Sequence, residues 1–84
     1  EIDRTNASHY YNLGLAYQRS GQNKAAIKSF KAAINILPSH IRAYLSLALS
    51  YQRADEIPNA RKALEEILRY DPGHSMARRL LNRL

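Results

Sequence analysis

The stretch that decides the fold is YYNLGLAYQR at residues 10–19, because it returns as YLSLALSYQR at residues 44–53. Both stretches end in the tripeptide YQR, at residues 17–19 and again at 51–53. When residues 7–40 are aligned with residues 41–74 without a gap, ten of the 34 positions are identical, which is well above chance. Self-similarity at a fixed period of this length is typical of repeat proteins. The chain therefore contains two copies of one unit.

Each copy predicts two helices separated by a turn, because its apolar and small residues recur at helical spacing. In the first copy, residues 21–23 interrupt the pattern, and Pro38 ends it because proline cannot fit a helix interior. In the second copy the break falls at residues 54–56, Pro58 suits a first helical turn, and Pro72 and Gly73 end the pattern. The positions predicted to face the core are Tyr10, Leu13, Gly14, Tyr17, Ala26, Ile27, Phe30, Ala33, Ile34 and Leu37, then Tyr44, Leu47, Ala48, Tyr51, Ala60, Ala63, Leu64, Ile67 and Leu68.

The end of the sequence begins a third unit, since Ala77 and Leu81 occupy the positions of Ala43 and Leu47 one period later. We expect this segment to be a capping helix. The predicted organisation is a single repeat domain over residues 1–84: a lead-in at 1–6, repeats at 7–40 and 41–74, and the capping helix at 75–84. The first residue is Glu rather than Met, which indicates a fragment or a processed chain.

Within a hairpin, small residues should let the two helices approach closely. Gly14 and Ala26 occupy such places, and we expect Tyr10, Tyr17 and Phe30 to fill the space around them. A bulky residue at Gly14 or Ala26 should therefore overpack the hairpin, at about 1–3 kcal/mol.

These residues resemble the tetratricopeptide repeat family, whose unit has an aromatic residue, then Leu-Gly and Tyr, then Ala and Phe, then Pro. The second copy has Ala48 in place of the glycine and Leu64 in place of the phenylalanine. The resemblance implies an all-α fold of antiparallel helix hairpins stacked as a right-handed α-solenoid, with five helices. It also implies a concave groove lined by the first helix of each hairpin, and a role in binding other proteins. The residues that carry the resemblance are Tyr10, Leu13, Gly14, Tyr17, Ala26, Phe30 and Pro38, then Tyr44, Leu47, Tyr51, Ala60 and Pro72.

If those residues face inward, the neighbouring stripe of each first helix faces the groove. This stripe combines apolar side chains with arginines, a lining that suits a peptide or an amphipathic helix with apolar anchors and acidic flanks. An alternative is that Leu45 and Leu49 pack against further repeats or against a second copy. The predicted groove residues are Tyr11, Asn12, Leu15, Gln18, Arg19, Arg42, Leu45, Ser46, Leu49, Gln52, Arg53 and Arg79.

The charge of the chain is +6, from thirteen Lys and Arg against seven Asp and Glu. Such an excess favours acidic partners without specifying one. Lys24, Lys28 and Lys31 form a stripe on the predicted second helix, on the outer face of the array. We favour an ordinary solvated face for this stripe, with RNA or lipid headgroups as the alternative. On the predicted fourth helix, by contrast, Arg61, Glu65 and Arg69, and likewise Lys62 and Glu66, are spaced as i,i+4 pairs that neutralise one another. A basic nucleic-acid-binding module and a self-association module therefore remain alternative functions.

The motifs of catalysis and of metal binding are missing from the sequence. It contains no cysteine, no HExxH pattern, no glycine-rich phosphate loop and no arrangement of a nucleophile with a base. We therefore expect no enzyme activity, no cofactor and no metal site. No apolar run approaches the ~18–20 residues of a transmembrane helix. The lack of cysteine fits cytoplasm and periplasm alike, and of the two we favour the cytoplasm.

Overall fold

A computed structural model describes residues 4–84, and within them it contains five α-helices and no strand. The helices are α1 (Arg4–Arg19), α2 (Asn23–Ile36), α3 (Ile41–Arg53), α4 (Ile57–Tyr70) and α5 (Ser75–Arg83). This confirms the prediction of an all-α chain of two helix hairpins and a terminal helix. Helix α1 begins inside the segment 1–6 assigned to a lead-in, and residues 1–3 of that segment lie outside the described residues.

Helices α1 and α3 end in the same hydrogen-bonded turn. The N–H of Gln22 donates to the carbonyl of Tyr17 at 2.9 Å, and in the second copy the N–H of Glu56 donates to the carbonyl of Tyr51 at 2.8 Å. The residue before each donor has left-handed backbone, with φ of 78° in the first turn and 61° in the second. This is the Schellman ending of a helix, which turns the chain back and satisfies free carbonyls of the last turn. It explains why the hairpin turns fall where the sequence pattern is interrupted.

Two histidines at equivalent positions begin the helices that follow each hairpin. The Nδ1 atom of His40 accepts a hydrogen bond from the N–H of Ala43 at 3.2 Å, and Nδ1 of His74 accepts one from Ala77 at 3.1 Å. Each imidazole thereby satisfies one of the free N–H groups of a helix N-terminus. The repeated histidine is thus an N-cap, a role that the sequence analysis did not assign.

The core forms because each helix packs against the next along the chain. Helix α3 lies between α2 and α4, and α5 packs against α4. The apolar positions that helical spacing predicts to be internal supply most of the buried cluster, which confirms the predicted faces of α2, α3 and α4. The buried members of that cluster are Ala26, Ile27, Phe30, Leu47, Ala48, Tyr51, Ala60, Ala63, Leu64, Ile67 and Ala77.

The closest approach within the first hairpin is at Gly14, which faces the fully buried ring of Phe30. A methyl group built on Gly14 would lie 2.5 Å from Cε1 of that ring, closer than two carbon atoms can pack. In the second hairpin, the equivalent pair is Ala48 and Leu64. Ala48 is larger than Gly14, and the residue opposite it, Leu64, is smaller and more flexible than Phe30.

Two predicted core tyrosines are less buried than expected. Tyr10 is 37% exposed and Tyr17 is half-buried, whereas Tyr51, the counterpart of Tyr17, is buried. The prediction that Tyr10 is an internal residue is therefore wrong. The reason is position in the stack: α3 has α2 before it and α4 after it, whereas α1 is the first described helix and packs mainly on α2.

Candidate binding site

The predicted groove residues come from the first helix of each hairpin and from α5. Their polar members are mostly at the surface, where a partner can reach them. Those that are exposed are Asn12, Arg19, Arg42, Gln52, Arg53 and Arg79.

The apolar members of the groove set are half-buried. Tyr11, Leu15 and Leu45 pack against the buried core cluster with part of their surface, and Tyr11 also lies against the rings of Phe30 and His40. Leu49 differs, because it is half-buried without belonging to the side chains that pack on that cluster. Of the apolar groove residues, Leu49 is therefore the one whose surface contributes least to the internal packing.

Two of the predicted groove residues are used in joining α1 to α3. The side-chain amide of Gln18 donates to the backbone carbonyl of Ser46 at 3.2 Å and to the hydroxyl of Ser50 at 3.0 Å. Ser46 and Ser50 are both buried. The structure thus gives Gln18 and Ser46 an internal role, and we leave them out of the proposed contact surface. Sequence reasoning did not identify Ser50, whose only signal is a small polar residue within an apolar helix.

The arginines of the groove set form no ion pair within the part of the chain that the structure describes. Within residues 4–84, the one ion pair joins Arg69 to Glu66 on α4, at 2.8 Å. The partner of Arg69 is thus Glu66 and not Glu65, the carboxylate that the spacing along the sequence predicts. The pair lies at the surface and contributes little to stability. The sequence has no Asp or Glu from Arg4 to Ala54, so all of α1, α2 and α3 lacks carboxylate side chains.

The arrangement of two like hairpins and a terminal helix, with arginines along the first helices, is that of a helical-repeat protein. The tetratricopeptide repeat family model matches residues 17–84, and the chain belongs to this family. No curated protein matches the chain. None of the helices within residues 4–84 has the length and apolar character needed to cross a lipid bilayer.

Proposed function

We propose that this chain holds a peptide or an amphipathic helix of a partner protein against α1, α3 and α5. Tetratricopeptide repeats generally mediate protein–protein interaction, and that general role belongs to the family shown by the match. The finer proposal concerns the occupant: a segment with apolar anchors and acidic flanks.

The observation that supports this occupant is the pairing of Leu49 with exposed arginine on one stripe of α3. Leu45, Leu49 and Arg53 follow one another at every fourth position, which places them on one face of the helix. Leu49 offers apolar surface, and Arg53 is exposed and has no ion-pair partner in the described chain. An apolar anchor beside a free guanidinium favours a ligand that carries a carboxylate near an apolar side chain.

The test begins with peptides selected for binding to the wild-type chain from a displayed random library. We expect the selected sequences to be rich in large apolar residues and in Asp and Glu. We also expect their binding to shift the amide signals of Leu49 and Arg53 in spectra of isotope-labelled protein. The variant Leu49→Glu should weaken the binding by about tenfold or more. The new carboxylate would repel the acidic residues of the peptide, and the apolar surface of Leu49 would be lost.

A variant at Leu45 tests the groove less cleanly, because this side chain also packs on the core. Leu49→Glu is the sharper change, and its helicity and melting temperature should stay close to those of wild type. The control is the double variant Gln22→Glu with Asn35→Glu, which adds acidic charge at exposed positions outside the groove. The second copy already has a glutamate, Glu56, at the position equivalent to Gln22. Retained affinity in Leu49→Glu, or equal loss in the control, contradicts the proposal.

A further inference from the structure

A cavity of about 500 Å³ opens between α1 and α2, on the side away from the proposed groove. On α1 its walls are Leu13 and Tyr17, each two positions before a groove residue, Leu15 and Arg19. Two positions correspond to about 200° around a helix, so the cavity and the groove use opposite faces of α1. We call this cavity the first crease. The residues that line it are Tyr10, Leu13 and Tyr17 from α1, and Ala25, Lys28, Ser29 and Ala32 from α2.

The second hairpin has a cavity at the equivalent place, and every one of its lining residues lies 34 positions after one of the first crease. This second crease measures about 180 Å³. The second crease is smaller because larger side chains fill part of it: Asn59 stands at the position of Ala25, and Glu66 at the position of Ala32. Pockets that hold ligands usually measure about 300–1,000 Å³, so only the first crease has that size. The residues of the second crease are Tyr44, Leu47, Tyr51, Asn59, Lys62, Ala63 and Glu66.

The two creases also differ in charge. Lys28 forms part of the wall of the first crease, and Lys24 and Lys31 lie about one helical turn to either side of it. All three lysines are exposed, and none has an ion-pair partner within residues 4–84. The second crease has a lysine at the equivalent position, Lys62, but its wall also contains the carboxylate of Glu66. The lysine is therefore the only kind of charged group in the wall of the first crease, and most of the remaining wall is apolar.

We propose that the first crease is a second binding site, which takes an acidic segment of a partner protein. One large apolar side chain of that segment enters between α1 and α2, and its flanking carboxylates lie against Lys24, Lys28 and Lys31. The partly exposed ring of Tyr10 supplies an aromatic wall of the kind that is enriched in protein interfaces. From the sequence alone we favoured an ordinary solvated face for the lysine stripe. That interpretation did not take into account the cavity that Lys28 borders.

The walls of the first crease favour a protein segment over single-stranded nucleic acid. Readers of single strands stack successive bases on a series of aromatic rings. In the first crease, the two tyrosines belong to α1 alone, and Tyr17 is already half-buried. The wall from α2 is made of small side chains and the lysine, which leave room for one inserted side chain.

The test uses a synthetic peptide with one tryptophan between two pairs of glutamates, and a second peptide with glutamines in place of the glutamates. We expect the acidic peptide to shift the amide signals of Ala25, Lys28 and Ala32, and the glutamine peptide to bind more weakly by about tenfold. Lys28→Glu should reduce binding of the acidic peptide by about tenfold or more. The matched control Lys62→Glu makes the same change at the equivalent position of the second copy and should leave the affinity within about twofold.

A second variant changes both the volume and the charge of the crease wall while Lys28 stays in place. Ala25→Asn with Ala32→Glu gives the first crease the residues of the second, which this fold already accepts at the equivalent positions. We expect this variant to keep its melting temperature and to lose the peptide. Leu49→Glu should leave binding at the crease unchanged, so the two proposed sites fail or succeed separately.

Four results with the peptides overturn the proposal. They are equal loss in Lys28→Glu and Lys62→Glu, shifts confined to Leu49 and Arg53, equal binding of the glutamine peptide, and no shift at millimolar peptide. If instead a single-stranded oligouridylate shifts the crease amides with a steep dependence on salt, and the acidic peptide does not, the crease binds nucleic acid and the proposal is equally overturned.

Discussion

At the scale of single residues, Gly14 and Phe30 show how one contact sets the distance between two helices. The ring of Phe30 is fully buried, so it cannot swing aside for a side chain on Gly14. The other hairpin solves the same packing problem with Ala48 and Leu64. The two pairs are alternative ways of filling one space, and exchanging only one member should leave either a clash or a void.

We predict that Gly14→Ala lowers the free energy of unfolding by about 1–2 kcal/mol. Overpacking against the buried ring should cost toward the upper end of about 1–3 kcal/mol. This cost exceeds the gain of roughly 1 kcal/mol that comes from replacing a glycine within a helix by alanine. Adding Phe30→Leu, which completes the pair of the second hairpin, should recover about 1 kcal/mol relative to the sum of the single changes. Urea unfolding of the two single variants and the double variant measures this coupling, and additive effects contradict the explanation.

His40 makes stability depend on pH through its cap. Partial burial lowers the pKa of its imidazole below the usual 6.5; a backbone hydrogen bond of His40 opposes this shift in part, and the nearby charge of Arg42 adds to it. The neutral ring is also the form whose Nδ1 can accept the N–H of Ala43. In the unfolded chain His40 takes up a proton near its usual pKa, whereas in the folded chain it does so only at lower pH. Stability contributed by the cap is therefore complete above 6.5 and is lost as pH falls below it.

We predict that the melting temperature falls between about pH 7.5 and about pH 5.5, and that His40→Asn makes this fall smaller. Asparagine can cap the helix and does not titrate. His9→Asn is the control, because His9 is exposed and lies within α1, well past the start of that helix. The same fall in wild type and in His40→Asn would show that the cap does not couple stability to pH.

At the scale of secondary-structure elements, the ends of α1 and α3 share one turn but have different residues at its left-handed position. Both turns need left-handed backbone at one position, which Gly21 adopts freely and Asp55 adopts with strain. We predict that Asp55→Gly raises the free energy of unfolding by about 0.5–1 kcal/mol. The reciprocal change Gly21→Asp should lower it by a similar amount. Chemical denaturation measures both changes, and a loss of stability in Asp55→Gly is the result that refutes the assignment of strain.

The terminal helix α5 illustrates an element whose two sides have different neighbours. Ala77 is fully buried in the cluster shared with α4, and Leu80, Leu81 and Leu84 pack against that cluster in part. Arg78, on the other side, is exposed and donates to the backbone carbonyl of Pro72 at 3.0 Å. An apolar stripe toward the last hairpin and charged residues toward solvent are what a capping repeat requires. The assignment of residues 75–84 as a capping helix stays a prediction.

At the scale of the whole molecule, the period of the sequence predicted most of the fold. A shared period fixes which residues are equivalent, and equivalent residues of stacked hairpins meet equivalent neighbours. The prediction failed at Tyr10 because a repeat pattern shows only which face of a helix a neighbouring helix would cover. In the described chain no helix precedes α1, so part of that face stays exposed. The bonds from Gln18 to Ser46 and Ser50 were not predictable because they depend on the offset between α1 and α3.

The candidate sites were predictable to a smaller extent than the fold. Helical spacing placed Leu45, Leu49 and Arg53 on one stripe, and that depends only on the geometry of a helix. The first crease was not predicted, although its lining residues are all equivalent to those of the second. Its size comes from the small volume of Ala25 and Ala32 combined with the distance between α1 and α2, and a sequence pattern contains only the first of these.

The amide of Gln18 has a mechanical consequence for the array. Apart from its two hydrogen bonds, α1 and α3 touch only slightly, while α2 packs broadly against α3 on the other side of the stack. The two hairpins are thus joined by broad packing between α2 and α3, and between α1 and α3 by the hydrogen bonds of Gln18 together with the contact between Tyr11 and His40. We expect that loss of the Gln18 hydrogen bonds would allow α1 and α3 to move apart, which would change the angle between the two hairpins.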